Sequence, residues 1–431
     1  MPDSAQSVSK DPLTCPIHDV DTFDGVFLQD PYPFYARTRR EAPVYRDPKT
    51  GVVYVATYDL VREVNSKPFM FSNKFGEHLR AGGVEPPSEE EMAIMSKAIV
   101  PTDTMLTADP PDHTRYRKLA MKAFTYKRVL KMTEYVGDLC HDLIDAMPEG
   151  GCEFKASFAA KLPMYVISDA LGVPRKNFDI FESWSNAFIS QLSGVADKEE
   201  RLDAAQKIVD CHHYFVDVIE EKRVNPGDDV ISDLVHADLA EEGDTRKMNH
   251  SELISILQQL LVAGNETTAH TITAGINYLL HNPDQMARLK ADPSLVPNLV
   301  EETLRFLSPT NNMWRVATGS DTIGDVEVSA GDLILLRYGS ANRDDQRFPS
   351  PDTFDIGREN AKEHLAFGAG IHTCLGSQLA RKEMVTAFPI ILDRLKNLQV
   401  DGSKGDLQYL PSILMRGVIN LHVTYDKQPR A

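Results

Sequence analysis

The residues of this chain that could do chemistry cluster around one thiol. From His364 to Arg381 the sequence reads HLAFGAGIHTCLGSQLAR, with Cys374 two residues after His372 and flanked by Gly368, Gly370 and Gly376. A thiolate is both a nucleophile and a strong metal ligand, and either use needs an electropositive setting that lowers the thiol pKa. The following LGSQLARKEMVTAF has a helix pattern. A helix beginning there would aim its unpaired N–H groups and positive end at the sulfur. The glycines let the backbone bend and pass close to a flat partner. Two other readings are a Gly-rich turn around a buried structural cysteine and a cysteine nucleophile. Nothing in the sequence marks a partner base for the latter.

A second constellation is AGNETT, Ala263 to Thr268, inside the long apolar pattern ELISILQQLLVAGNETTAHTITAGINYLL. Gly264 costs a helix interior roughly 1 kcal/mol relative to alanine. An acid, Glu266, and a hydroxyl, Thr267, follow it among apolar neighbours. The plain alternative is a helix kink with Thr267 bonded back to the preceding turn and a surface Glu266. His270 reads as a helix-face residue. Glu302 and Arg305 in LVEETLRFLSP stand at i,i+3 and can pair, as in many solvated salt bridges. In DPPDHTRYRKLAMKAF, His113 and Arg117 are i,i+4 neighbours. At ~100° per residue, Arg115, Lys118 and Lys122 fall on nearly the opposite face, forming a basic stripe.

The elements that must position these groups are mostly helical. Apart from short Gly and Pro breaks, the pattern from Asp112 to Leu307 is that of helices. Strand-like alternation appears in GVVYVATY, in DVEVSAGDLILLRYGS and in INLHVTYD, near the chain ends. This predicts a mainly α fold with minor β, of the α+β class. A loosely ordered arm is expected over 1–25 and one large domain over 26–431. The stretch from Phe69 to Pro111 reads as a long loop with a short helix, either a lid over a site or a solvated variable loop.

Composition narrows the functions. The net charge of −17 disfavours nonspecific nucleic-acid binding. The five cysteines, Cys15, Cys140, Cys152, Cys211 and Cys374, are scattered without a CxxC pair. That disfavours a disulfide framework, a zinc ribbon and an iron–sulfur site, and fits a reducing, cytoplasmic compartment. The N-terminus lacks the pattern of a secretory signal, and no run reaches the ~18 apolar residues of a membrane span. No membrane anchor is expected, and a monomer is.

The positions Phe367, Gly368, Gly370, His372, Cys374 and Gly376 form FGxGxHxCxG. Six fixed positions would match by chance only about 10⁻⁵ times over such a length. The pattern resembles the heme-binding loop of the cytochrome P450 family, and the resemblance runs from DPYPFY to PSILMRG. It implies the cytochrome P450 fold, with heme b (iron protoporphyrin IX) between a long distal helix and the cysteine loop. Cys374 would be the only protein ligand to iron, since a thiolate favours O–O cleavage. Gly376 would allow close approach of helix and ring. His113, Arg117, Arg315 and His372 would meet the propionates. Ala263 and Gly264 would lie on the distal face, the helix opening locally at Gly264. Thr267 would hydrogen-bond the oxygen being activated and Glu266 would feed it protons from solvent. Glu302 and Arg305 would lock to Arg358 of FDIGR as a structural triad.

The function so implied is monooxygenation: insertion of one atom of O2 into a C–H bond of a small to medium hydrophobic molecule. Substrate contacts are expected from the Phe69–Met105 loop, the Phe181–Leu192 helix, Val262 to Thr267 and the Leu307–Met313 connector, with Ile413 and Leu414 as a further wall. Asn311 and Asn312 would either hydrogen-bond an oxygenated substrate or turn the chain, and Met313 follows them. The chain has no flavin, nicotinamide or iron–sulfur signature, so electrons are expected from a separate ferredoxin and ferredoxin reductase. Arg115, Lys118 and Lys122 would be the docking stripe, unless that stripe is an ordinary solvated face. A heme-thiolate gas sensor would not need the acid–threonine pair, and a peroxide-driven enzyme would tend to lack it.

Overall fold

The computed structural model describes residues 12–76, 87–124, 128, 130, 132, 134–193, 197–238 and 246–430. The helices used below are α1 (Tyr32–Glu41), α2 (Tyr58–Ser66), α3 (Asp112–Ala123), α4 (Lys161–Leu171), α5 (Phe178–Ser193), α6 (Lys198–Val224), α7 (His250–His281), α8 (Val296–Leu307) and α9 (Ser377–Arg394). The strands are β1 (Val44–Arg46), β2 (Val53–Val55), β3 (Phe71–Ser72), β4 (Gly151–Glu153), β5 (Met313–Ala317), β6 (Asp321–Ile323), β7 (Val326–Val328), β8 (Leu333–Leu336), β9 (Leu395–Val400) and β10 (His422–Lys427).

The longest helix, α7, starts at a reciprocal cap. Asn249 accepts the Glu252 N–H at 3.0 Å, and the Glu252 carboxylate accepts the Asn249 N–H at 2.9 Å. That pairs two donors the helix would otherwise leave open. Beyond Thr267, α7 is buried on all sides through Leu279, as expected of a helix apolar all round. It packs against α4, α5, α6, α8 and α9. One large core joins residues from Tyr116 to Tyr425 around it. A second core, including Val53, Ile334, Leu336 and Phe348, lies at the sheet.

That sheet has the order β1-β2-β8-β5-β3. Only β2 and β8 run parallel, with Tyr54 opposite Leu335. The β5–β8 pair sets Arg315 opposite Ile334. A smaller sheet has the order β4-β10-β9, and β6 pairs with β7 alone.

The mainly helical α+β expectation holds, with three differences. Strand β4 interrupts the stretch expected to be helical. Its three residues are too few to show alternation, and they pair with β10, Val423 opposite Cys152. The described part of the N-terminal arm is not loose: Arg37 donates to the carbonyls of Pro12 and Cys15 at 3.2 and 2.6 Å, and Ile17 and Val20 pack on the Phe27–Tyr35 cluster. The Phe69–Pro111 stretch holds β3 and a helix, Glu89–Met95. Residues 77–86, which carry part of the lid expectation, lie outside the described residues, as do residues 1–11 of the arm.

Candidate active site

Cys374 lies between a 3₁₀ turn, Gly370–His372, and the start of α9. Its N–H donates to the Phe367 carbonyl at 2.9 Å, closing the loop. Gly370 has φ 74°, and a Cβ there would lie 2.4 Å from the Asn65 carbonyl oxygen at the end of α2. Only glycine allows that left-handed turn to pass so close. Burial pushes the Cys374 thiol pKa up. The N–H groups of Gly376 and Ser377 and the guanidinium groups of Arg117 and Arg381 pull it down without cancelling the rise. Atoms therefore crowd the residue from behind, yet Cys374 is exposed where Cys140 and Cys211 are buried. The two observations agree if the sulfur faces an internal opening. A Cβ on Gly376 would meet nothing within 4 Å, so the loop leaves open volume there too.

A polar cluster borders this loop. The rings of His113 (α3) and His372 lie 4.1 Å apart. His113 is 2% exposed, and neither ring nitrogen has a hydrogen-bond partner. His372 Nδ1 lies 3.1 Å from the Met105 carbonyl, and its Nε2 has no partner. Burial, then His113, Arg315 and Arg117, push the His372 pKa down to about 3. Arg117 donates to the Thr373 carbonyl. Arg315 donates to Asn65 Oδ1 at 2.6 Å and to its neighbour's carbonyl, that of Trp314, at 2.7 Å. Neither guanidinium has a carboxylate among these partners.

These residues fit heme. Two guanidinium groups and two imidazoles with unused nitrogens suit a pair of carboxylates such as the propionates. Among the described residues no group of three or more His, Cys, Asp or Glu could hold a bare metal ion. A metal bound by a lone thiolate would have to bring its own other ligands, as heme iron does. Sequence reasoning found His113, Arg117, Arg315 and His372, but missed Asn65, which accepts from Arg315 and lies 3.3 Å from the Tyr338 hydroxyl.

On α7, Ala263 and Gly264 are exposed in the middle of a core helix, so open space runs along that face. The helix is continuous from His250 to His281, without the local opening expected at Gly264. Thr267 Oγ1 donates to the Ala263 carbonyl at 3.1 Å, and Thr271 Oγ1 to the Thr267 carbonyl at 2.7 Å. Glu266 is buried, which removes the plain alternative of a surface carboxylate. Its Oε2 lies 3.2 Å from His270 Nε2 and 3.8 Å from Lys155 Nζ. Burial raises the Glu266 pKa, but His270 and Lys155 outweigh it and leave it below the ordinary carboxylate value. His270, expected on a helix face, is fully buried, and burial lowers its pKa.

The triad residues meet. Arg305 donates to Glu302 at 2.7 and 2.8 Å, and Arg358 Nε to both Glu302 oxygens at 3.2 and 3.1 Å. Their remaining donors reach backbone carbonyls of Asn342, Pro349, Ser350, Pro351 and Thr353. The neighbouring Glu301, which sequence reasoning passed over, accepts from Arg381 at 2.6 and 3.0 Å and lies 3.1 Å from His364 Nε2. Arg381 in turn stacks over Phe367, 4.5 Å from the ring centre.

The residues expected to form the substrate walls are placed as follows. Asn311 is 3% exposed, accepts from the Tyr35 hydroxyl at 3.1 Å, and fills the space beside Gly339. Asn312 Nδ2 donates to the Ile413 carbonyl. Both amides tie α1, β5 and the C-terminal loop together. Ile413 and Leu414 are buried in the cluster of Tyr54, Phe75 and Trp314, which makes them core. Val262 and Met313 are half-buried. Of the expected α5 wall, Phe181, Trp184 and Phe188 are buried core, and the Leu192 side chain lies outside the described residues. Arg115 pairs with Asp112 at 3.0 Å and stacks on Tyr116, while Lys118 and Lys122 are exposed. Among the described residues no helix is long and apolar enough to cross a membrane.

A family model, Cytochrome P450, matches residues 166–417. Cytochrome P450 107B1 of Saccharopolyspora erythraea is 37% identical over 412 residues, which cover 94% of this chain and 98% of that protein. The steroid C26-monooxygenase of Mycobacterium tuberculosis is 34% identical over 414 residues, 95% of this chain and 98% of its own. The solved structure of cytochrome P450 CYP109Q5 from Chondromyces apiculatus superposes with a TM-score of 0.81 at 32% identity, covering 95% of this chain and 99% of that one. The likeness thus spans about 95% of the chain, and the matched residues 166–417 include the cysteine loop, α7 and the buried triad. The chain belongs to the cytochrome P450 family and is a heme b monooxygenase, using O2 and electrons from redox partners to hydroxylate hydrophobic molecules.

Proposed function

We propose that Cys374 is the proximal ligand of the heme iron, that His113, Arg117, Arg315 and His372 hold the propionates, and that Phe367, Gly368, Gly370 and Gly376 shape the proximal surface. Ala263 and Gly264 would face the other side of the ring, with Val262 and Met313 toward substrate. The observation that carries this reading is the exposed thiol at the start of α9 beside a cluster of guanidinium groups and imidazoles with unused ring nitrogens. When bound, heme supplies the reductive activation of O2. The chain's own part is to keep the thiolate under the α9 N–H groups, to neutralise the propionates and to deliver protons. Thr267, anchored on the Ala263 carbonyl, presents its hydroxyl on the open face of α7, and Glu266 behind it is the acid that resupplies its proton.

We further propose that a ferredoxin, reduced by its own reductase, docks at Lys118 and Lys122, the exposed lysines of α3, and that the chain works in the cytoplasm, where its five unpaired cysteines stay reduced. The first substrate class to test is a steroid, because the M. tuberculosis relative bears that name. Titration of the purified ferric protein with steroids, followed by the low-spin to high-spin absorbance change, tests the class. Saturable shifts with steroids and none with short fatty acids support it; the opposite order refutes it. For docking, Lys122→Glu should raise the KM for ferredoxin several-fold with kcat unchanged, because a rim charge acts on association. An unchanged KM removes Lys122 from the interface.

A further inference from the structure

Glu266 does not stand alone, and the reading above gives its neighbours no part. Lys155, from the π-helical turn Lys155–Ala159, approaches it from one side and His270 from the next turn of α7. At ~100° per residue, position 270 falls between positions 266 and 267 on the helix face. The His270 ring fits against the C-terminal loop: a Cβ on Gly417 would lie 2.3 Å from it, so the loop passes the ring with no side chain between. Neither ring nitrogen makes a well-aligned hydrogen bond; the 3.2 Å approach to Glu266 Oε2 is their one close polar contact with a side chain. A phenylalanine of similar shape would fill this space without burying polar nitrogens. Further out, Glu182 of α5 faces the Glu266–Lys155 pair and also lines the open groove between α5 and α6, with Asp179, Glu200 and Asp203.

We propose that His270 is a positioning residue for proton delivery, holding the Glu266 carboxylate against Lys155 so that Glu266 takes protons from the Glu182 groove and passes them to Thr267. The proposal rests on the relay role given to Glu266 and Thr267 above. Each proton leaves groove water, protonates Glu182, moves to Glu266 and departs through the Thr267 hydroxyl; His270 keeps its own. The charged and titratable groups facing this path are His270 on α7, Lys155 on the π-helical turn, Lys161 on α4, and Asp179 and Glu182 on α5. Burial and Glu266 itself raise the Glu182 pKa, which suits an outer acid, while Lys155 and His270 keep Glu266 ionised.

The test is an infrared pH titration of the substrate-free ferric holoenzyme, with Glu266→Gln identifying the Glu266 carboxyl band. In His270→Phe the protonated band should persist to a pH about one unit higher, a tenfold gain in proton affinity. In His270→Gln, whose amide can still donate to Glu266, it should return toward wild type. Product formed per electron should fall in the phenylalanine variant and recover in the glutamine variant, with the carbon monoxide spectrum of both unchanged. A wild-type titration curve in His270→Phe overturns the proposal. A Glu266→Gln enzyme with unchanged product per electron overturns instead the relay role of Glu266, and the titration still decides whether His270 holds that carboxylate.

Discussion

Arg305 grips Glu302 through two hydrogen bonds of 2.7 and 2.8 Å, and neither side chain has any exposed surface. The pair is one turn of α8, but Glu302 also accepts from Arg358 and from the Asp355 N–H, 2.9 Å away. A single carboxylate therefore serves as the counter-charge to two buried guanidinium groups and helps hold the segment from Pro349 to Arg358 against α8.

Glu302→Gln would leave both cations without their counter-charge. Breaking a buried ion pair this way costs about 3–5 kcal/mol. Urea unfolding should show a loss of that size, with a matching fall in heme content on expression. A loss under 1 kcal/mol would contradict the triad's structural role.

Glu301 gives a pH signature. Hydrogen bonds and charge from His364 and Arg381 outweigh burial and hold its pKa down to about 2, against an ordinary 4.5. A folded-state pKa below the unfolded one adds stability that is complete above the unfolded value and is lost as pH falls through the folded value. Wild type should thus exceed Glu301→Gln by about 2 kcal/mol at neutral pH, and the gap should close between about pH 4.5 and 2. Denaturant unfolding of both proteins across that range measures it.

Two glycines of the cysteine loop should respond differently to alanine. At Gly370, φ 74° and the Asn65 carbonyl 2.4 Å from the new Cβ combine strain with a clash. Gly370→Ala should cost roughly 2 kcal/mol or more in stability. A Cβ at Gly376 meets nothing within 4 Å, so Gly376→Ala should leave unfolding of the heme-free protein unchanged while weakening heme retention, if the ring takes that space as proposed above. Equal heme retention in Gly376→Ala and wild type would move the ring elsewhere.

Arg315→Leu removes a guanidinium group held by Asn65 at 2.6 Å beside His372. Heme transfer to apomyoglobin should quicken by roughly tenfold, the loss expected for one charge-assisted hydrogen bond. Asn65→Ala should show a smaller change in the same direction, since it orients the arginine without touching the heme.

What the sequence displayed was whatever lies within one loop or one helical turn. The cysteine loop, the acid–threonine pair and the Glu302–Arg305 spacing are local patterns, and their geometry follows from backbone periodicity. What it hid were partners brought in from afar. Asn65 meets Arg315 across 250 positions, and Lys155 meets Glu266 across more than a hundred. Such contacts leave no spacing to recognise. His270 reads in the sequence only as a helix-face residue, and Gly417 reveals the space reserved for its ring. Asn311 likewise hid its partners. Its amide suggested a turn or a substrate contact, while Tyr35 and Gly339 make it a buried joint. Strand β4 escaped because its register is set by β10 and not by its own three residues.

The central claim is that Cys374 alone carries the iron, and the direct measurement is the absorption spectrum of the reduced protein under carbon monoxide. Wild type should show the strongly red-shifted Soret band of thiolate-ligated heme, and Cys374→Ser should lose it while keeping its far-ultraviolet circular dichroism. A red-shifted band in Cys374→Ser, or none in heme-loaded wild type, would contradict the account.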